Sequence, residues 1–177
     1  VVSSVTDSAK LKEGFARKNV TGLPATIKDN NAVIKVTYAK ISNLSYKVEH
    51  YYEGETTAFD SATVSNVVYD TVVSSVTDSA KLKEGFARKN VTGLPATIKD
   101  NSTIIKVTYA KISNLSYKVE HYYEGETEAF DSATVSNVVY DTVVSSVADS
   151  AKVKEGFARK SVDGLPATIK DNSTIIK

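Results

Sequence analysis

The side chains able to do chemistry are few, and they recur. One histidine stands in each of two Y-K-V-E-H-Y-Y-E segments, as His50 and His121, with glutamates on either side. A carboxylate beside an imidazole is the elementary unit of acid/base catalysis. Neighbours in an extended segment point to opposite faces, however, so Glu49 and His50 diverge. The histidine therefore reads as a surface or sheet-packing residue. Cysteine is absent and each repeat holds one histidine, so zinc spacing cannot be assembled within a repeat. Asp29-Asn30-Asn31 offers oxygen ligands without the alternation of a calcium loop, and reads as a turn closed by its own side chains. No catalytic residue, metal ligand or cofactor is expected, and the chain is not expected to be an enzyme.

Tyrosine is the remaining candidate. Tyr51, Tyr52 and Tyr69, with Tyr122, Tyr123 and Tyr140 one repeat later, could present aromatic platforms to sugars. Repetition would then turn individually weak sites into avidity. The competing reading is that these rings pack the sheet.

What positions these residues is self-similarity. V-V-S-S-V-T-D-S-A-K at Val1 returns at Val72, and again with one change at Val143, which sets a period of 71 residues. The first two copies differ only at Asn31/Ser102, Ala32/Thr103, Val33/Ile104 and Thr57/Glu128. Such a period exceeds the ~20–50 residues of solenoid repeats and is long enough for a small core of its own. Apolar residues make up 41% and charged residues 24%, with a net charge of +1. Those values suit globular domains and disfavour disorder. No copy carries the basic excess that nucleic-acid binding would need. No apolar run is long enough to span a membrane, and the window is expected to belong to a longer chain.

Within one period, Tyr46–Glu53 alternates as a strand, Gly54 turns the chain, and Thr56–Val64 supplies the second arm of a hairpin. Val67–Val76 reads as extended with a Tyr-Asp bend. Thr77–Glu84 offers a cap, helix formers and Gly85 as a stop, which predicts a turn or two of helix. Pro95–Ile98 and Ile104–Ala110 flank Lys99–Ser102 and predict a terminal hairpin. The expected fold is α+β: tandem small domains, mostly β with one short helix each. Only Ile41–Ser45 separates Lys40 from Tyr46, so little freedom is expected between neighbouring units.

The series YKVEHYYEGE, a Thr-rich strand, KLKEGF, GLPATIKDN and VIKVTYAK resembles the mucin-binding-protein (MucBP) type repeat of Gram-positive surface proteins, across essentially the whole 71-residue unit. The resemblance implies a β-grasp-like domain in tandem on a cell-wall-anchored, extracellular adhesin, with a host or matrix glycan or mucin as ligand. It also implies a phase: 1–44 as the back part of one repeat, 45–115 as a complete repeat, and 116–177 as a repeat lacking the end of its last strand. In the alternative phase, V-I-K-V-T-Y-A-K folds back on Y-K-V-E-H-Y-Y-E and units start at Val1 and Val72. Some related surface repeats carry a Lys-to-Asn or Lys-to-Asp cross-link, for which Lys47, Lys35 and Lys106 are candidates. Leu94-Pro95-Ala96-Thr97 resembles a sorting signal, but Ile98 replaces the needed glycine, and the tetrapeptide reads as structural. Function is expected to be a stalk that extends a binding tip from the cell wall. The alternatives are a multivalent glycan-binding module, or a structural repeat that assembles laterally into fibres rather than remaining a monomeric rod.

Overall fold

The segment with the clearest two-residue alternation becomes the longest strand. In the computed structural model, which describes residues 1–177, Leu44, Val48 and His50 are buried along one face of it. Numbered in chain order, the strands of the first copies are β1 (Phe15–Thr21), β2 (Lys35–Lys40), β3 (Leu44–Tyr52), β4 (Asp60–Val67), β5 (Thr71–Val73), β6 (Phe86–Thr92), β7 (Ala96–Ile98) and β8 (Ile104–Lys111). The remainder are β9 (Leu115–His121), β10 (Asp131–Val138), β11 (Thr142–Val144), β12 (Ala167–Ile169) and β13 (Ile175–Ile176).

The first hairpin forms, with β3 antiparallel to β4 and His50 opposite Asp60. Its second arm starts at Asp60 rather than Thr56. The loop closes through Glu55 N–H donating to the Tyr52 carbonyl at 3.0 Å and Phe59 N–H donating to the His50 carbonyl at 2.9 Å. One sheet has the order β4-β3-β8-β6, another β10-β9-β13, and β1-β2, β5-β7 and β11-β12 are two-stranded. The fold-back of β2 on β3 is not formed, since β2 pairs with β1.

The expected terminal hairpin is also absent. The turn itself forms as read, with Ser102 N–H donating to the Asp100 carboxylate at 2.8 Å. Its two flanks go to different partners: β7 pairs antiparallel with β5, and β8 joins the larger sheet. Burial decides this. Ile98 and Ile105 both fall to 0% exposure in a cluster with Leu44, Val67, Tyr69 and Val73, and removing such side chains from water outweighs the local convenience of a hairpin. Leu115, Val138, Tyr140, Val144, Ile169 and Ile176 form the same cluster one period later.

The expectation of an α+β, β-grasp-like fold with one helix per repeat is overturned: the chain is all-β and contains no helix. Thr77–Glu84 is irregular chain with turns at Ala80-Lys81 and Glu84-Gly85. An isolated eight-residue helix lies below the ~12–15 residues at which helices become marginal in water. Here the Ser79 hydroxyl also accepts from Lys81 N–H at 3.0 Å, a local bond that competes with helical pairing. The same hydroxyl donates to Asp60 Oδ2 at 2.5 Å, and Lys81 Nζ donates to Asp60 Oδ1 at 2.7 Å. Asp131, Ser150 and Lys152 repeat the arrangement at 2.5 and 2.7 Å. One carboxylate at the start of β4 thus holds the loop that a helix was expected to fill.

By contacts the chain divides into two compact units, Val1–Lys81 with Lys89–Thr108, and Leu82–Arg88 with Tyr109–Lys177. Both units are discontinuous in sequence.

The Lys81 ammonium and the Ser79 hydroxyl hold Asp60 at about 2, below its ordinary 3.8, and Lys152 and Ser150 do the same for Asp131. A depressed folded-state value stabilises above the unfolded value and is lost as pH falls through the folded one. Urea midpoints should therefore decline between pH 4 and pH 2, and the D60N/D131N double variant should show a lower midpoint at pH 7 with a flatter acid limb. An acid limb as steep as that of the unaltered chain would rule out these carboxylates as its source.

Candidate interaction site: the tyrosine seat between copies

The stretch Val67-Val68-Tyr69-Asp70-Thr71 leaves β4 and enters β5 through a tight bend. Asp70 sits at φ 65°, a left-handed conformation that Asp tolerates better than most residues. Its N–H donates to the Ile98 carbonyl at 2.9 Å, and Thr71 N–H donates to the Val68 carbonyl at 3.1 Å. The bend leaves the Tyr69 side chain only 6% exposed.

What covers Tyr69 comes from far upstream in the same compact unit. A Cβ built on Gly14 would lie 2.1 Å from Tyr69 Cδ1, so only a hydrogen fits between that backbone and the ring. Gly14 also stands at φ 77°, where a side chain is strained whatever the space. Two backbone bonds close the contact: Ile41 N–H donates to the Gly14 carbonyl at 2.8 Å, and Tyr69 N–H donates to the Ile41 carbonyl at 2.8 Å. The phenol bonds to the Glu13 carboxylate; that bond, burial, and the charges of Glu13 and Asp70 push Tyr69 up to about 12.

One period later the seat is rebuilt. Tyr140 is 6% exposed, Gly85 has φ 77°, and a Cβ there would again lie 2.1 Å from the ring. Ile112 N–H donates to the Gly85 carbonyl at 2.9 Å, and Tyr140 N–H donates to the Ile112 carbonyl at 2.8 Å. Burial first, and then Glu84, raise the Tyr140 phenol. Leu82–Arg88, which carries Glu84 and Gly85, accordingly belongs to the compact unit of Tyr140.

The other tyrosines lie elsewhere. Tyr51 and Tyr52 are successive on β3 and half-buried. Tyr51 donates to Glu49 Oε2 at 2.5 Å, and Lys106 Nζ stands 5.6 Å from its ring centroid. Tyr52 stacks on Phe59 at 4.2 Å. Tyr122 donates to Glu120 Oε2 at 2.6 Å with Lys177 5.6 Å from its ring. Tyr123 stacks on Phe130 at 4.3 Å and meets Phe157 edge-on at 4.8 Å. The six rings thus occupy three kinds of environment and do not converge on one platform. Lys47 leads and Tyr51 follows in drawing Glu49 below the ordinary carboxylate range, while Glu49 raises Tyr51. His50 is buried, 6.1 Å from the Phe59 ring, in the sheet.

Sequence reasoning missed Gly14, Gly85, Ile41 and Ile112. The available signal was the Glu-Gly pair present in every copy, which the helix expectation absorbed as a stop. No protein-family model matches the chain, and no curated protein matches it.

The seat makes two quantitative claims. Gly85→Ala should cost roughly 1–3 kcal/mol through overpacking added to backbone strain. Gly156→Ala, at φ 84° with nothing within 4 Å of its Cβ, should cost distinctly less. Equal losses on chemical denaturation would refute the steric seat. A raised phenol favours the protonated form, so its stabilisation is complete below the ordinary tyrosine value of 10 and fades as pH climbs toward about 12. The Tyr69→Phe/Tyr140→Phe chain should lose that alkaline dependence, read from denaturation midpoints between pH 9 and 12.

Proposed function

We propose that this chain is a stalk segment of an extracellular, cell-wall-anchored bacterial surface protein, in which MucBP-like repeats extend a binding tip. The supporting observation is the repeated tyrosine seat. A spacer needs joints that transmit extension, and here each joint is a buried ring, a glycine without room for a side chain, and two backbone hydrogen bonds. The joint uses residues common to the copies, so gaining or losing a copy changes length and leaves the joint unchanged. A net charge of +1 over 177 residues fits the same role.

A second reading, a multivalent glycan- or mucin-binding module, is favoured by one arrangement. The half-buried Tyr51 and Tyr122 rings each sit between a carboxylate and a lysine at the same spacing. Glycan-array binding that vanishes in Tyr51→Ala/Tyr122→Ala while the fold survives would establish it.

For the stalk, small-angle scattering on chains of increasing copy number should give a maximum dimension that grows by equal steps, on the order of 30 Å per copy. Growth with the square root of copy number, as for freely jointed beads, would exclude it.

A further inference from the structure

β4 bounds the β4-β3-β8-β6 sheet and β10 bounds the β10-β9-β13 sheet, and neither is paired on its far side. Every residue from Ser61 to Asn66 is exposed, and so is every residue from Ser132 to Asn137. A strand with one covered face would alternate between buried and exposed. Here both faces and the edge are open. More than one full period of chain follows β4, and more than one precedes β10, so the matched exposure is a property of the repeat.

Apolar surface accompanies the open edge. Val64, Val68 and Val72 are 39%, 40% and 61% exposed and line one shallow groove of about 540 Å³ beside β4. Val135, Val139 and Val143, one period on, stand at 39%, 40% and 60%. Natural edge strands are commonly blunted by lysine, proline or an inward-pointing charge. Ser61–Tyr69 contains no charged residue, no proline and no glycine. The one irregularity is Asn66 at φ 60°, near the end of the strand, where the register with β3 shifts between Val64 and Val67.

We propose that β4 and β10 are contact edges for the same strands of a second molecule of this chain, paired antiparallel about a two-fold axis at Thr63 and at Thr134. In that register Ala62 lies opposite Val64 on the face that each shares with Val48 and Tyr46. Ser61 lies opposite Ser65 on the other face, and Thr63 opposite its twin. Charge and symmetry identify the occupant. Asp60, which begins the strand, is already paired with Lys81 at 2.7 Å, and the residues after it are neutral, so twin strands meet without opposing like charges. An antiparallel pair of this kind uses the same patch on both partners, and one sequence satisfies both sides. Main-chain bonds supply the affinity, and valines from both molecules leave water together. Each copy carries one such edge, so association strengthens with copy number. The contact goes beyond the stalk reading and does not rest on it.

β4 and β10 are identical in sequence, so each test alters both. Adjacent strands lie about 4.8 Å apart, within disulfide reach, and the chain has no cysteine of its own. On mild oxidation, Thr63→Cys/Thr134→Cys should form an intermolecular disulfide much faster than Glu55→Cys/Glu126→Cys, whose cysteines stand on exposed loops off the edge. The unaltered chain should sediment with a molar mass that climbs with concentration above 19.1 kDa. Thr63→Lys/Thr134→Lys, which sets like charges face to face at exposed positions, should hold the mass at 19.1 kDa and leave the urea midpoint unchanged. A mass of 19.1 kDa at every concentration for the unaltered chain would overturn the proposal and leave the edge to a strand from another protein. Association undiminished by the lysines, or equal disulfide rates in the two cysteine chains, would overturn it by placing the contact elsewhere.

Discussion

A phenol ring pressed against a glycine far upstream in the chain is the contact on which the rest of the architecture depends. Tyr69 belongs to the core cluster of its own copy, alongside Leu44, Val67, Val73, Ile98 and Ile105. Its ring also meets Gly14. The packing from Gly14 through Ile105 therefore extends over more than one 71-residue period, and the sequence repeat and the compact unit do not coincide. In a bead-on-string array, each core closes on itself and the linker is free. In this chain the backbone of Ile41, which occupies the linker, donates its N–H to the Gly14 carbonyl and accepts at its own carbonyl from Tyr69 N–H.

The loop from Thr77 to Lys81 shows how local chemistry holds a segment without regular structure. Asp60 takes both the Ser79 hydroxyl and the Lys81 ammonium, which fixes the path of a segment that has no helix and few buried side chains to hold it. Glu84 and Gly85 follow a few residues later and meet Tyr140. An exposed ion pair contributes little by itself. A carboxylate that also bonds the buried Ser79 hydroxyl and sits at a strand terminus does more, since it fixes the path of the loop after β5.

Much of the β structure was legible. The alternation in Y-K-V-E-H-Y-Y and the glycine after it specify the β3–β4 hairpin, and the Tyr-Asp bend and the Asp100 turn are where their residue types place them. Partner choice was not legible. β7 and β8 are adjacent in sequence with a turn between them, yet Ile98 and Ile105 reach the same cluster from separate sheets, and no local pattern encodes that. The helix reading failed because T-D-S-A-K-L-K-E carries adequate propensity, whereas the deciding bonds come from Asp60, some twenty residues upstream. The tyrosines were recognised as the residues to watch, but their roles divide by burial: Tyr69 and Tyr140 close joints, while Tyr51 on β3 and Tyr122 just past β9 stand beside charged partners. A glycine that exists to leave room for a distant ring looks, in sequence, the same as one that ends a helix.

Coupling between copies through the seated tyrosine is tested most directly by native-state hydrogen exchange at four amides, Ile41, Tyr69, Ile112 and Tyr140. If the joint is part of the folded core, these amides should exchange as slowly as those at the centres of β3 and β9, with opening free energies near the global value. Exchange at the rate of an unstructured connector, while β3 and β9 remain protected, would contradict the account and leave the copies as independently closed units on a free linker.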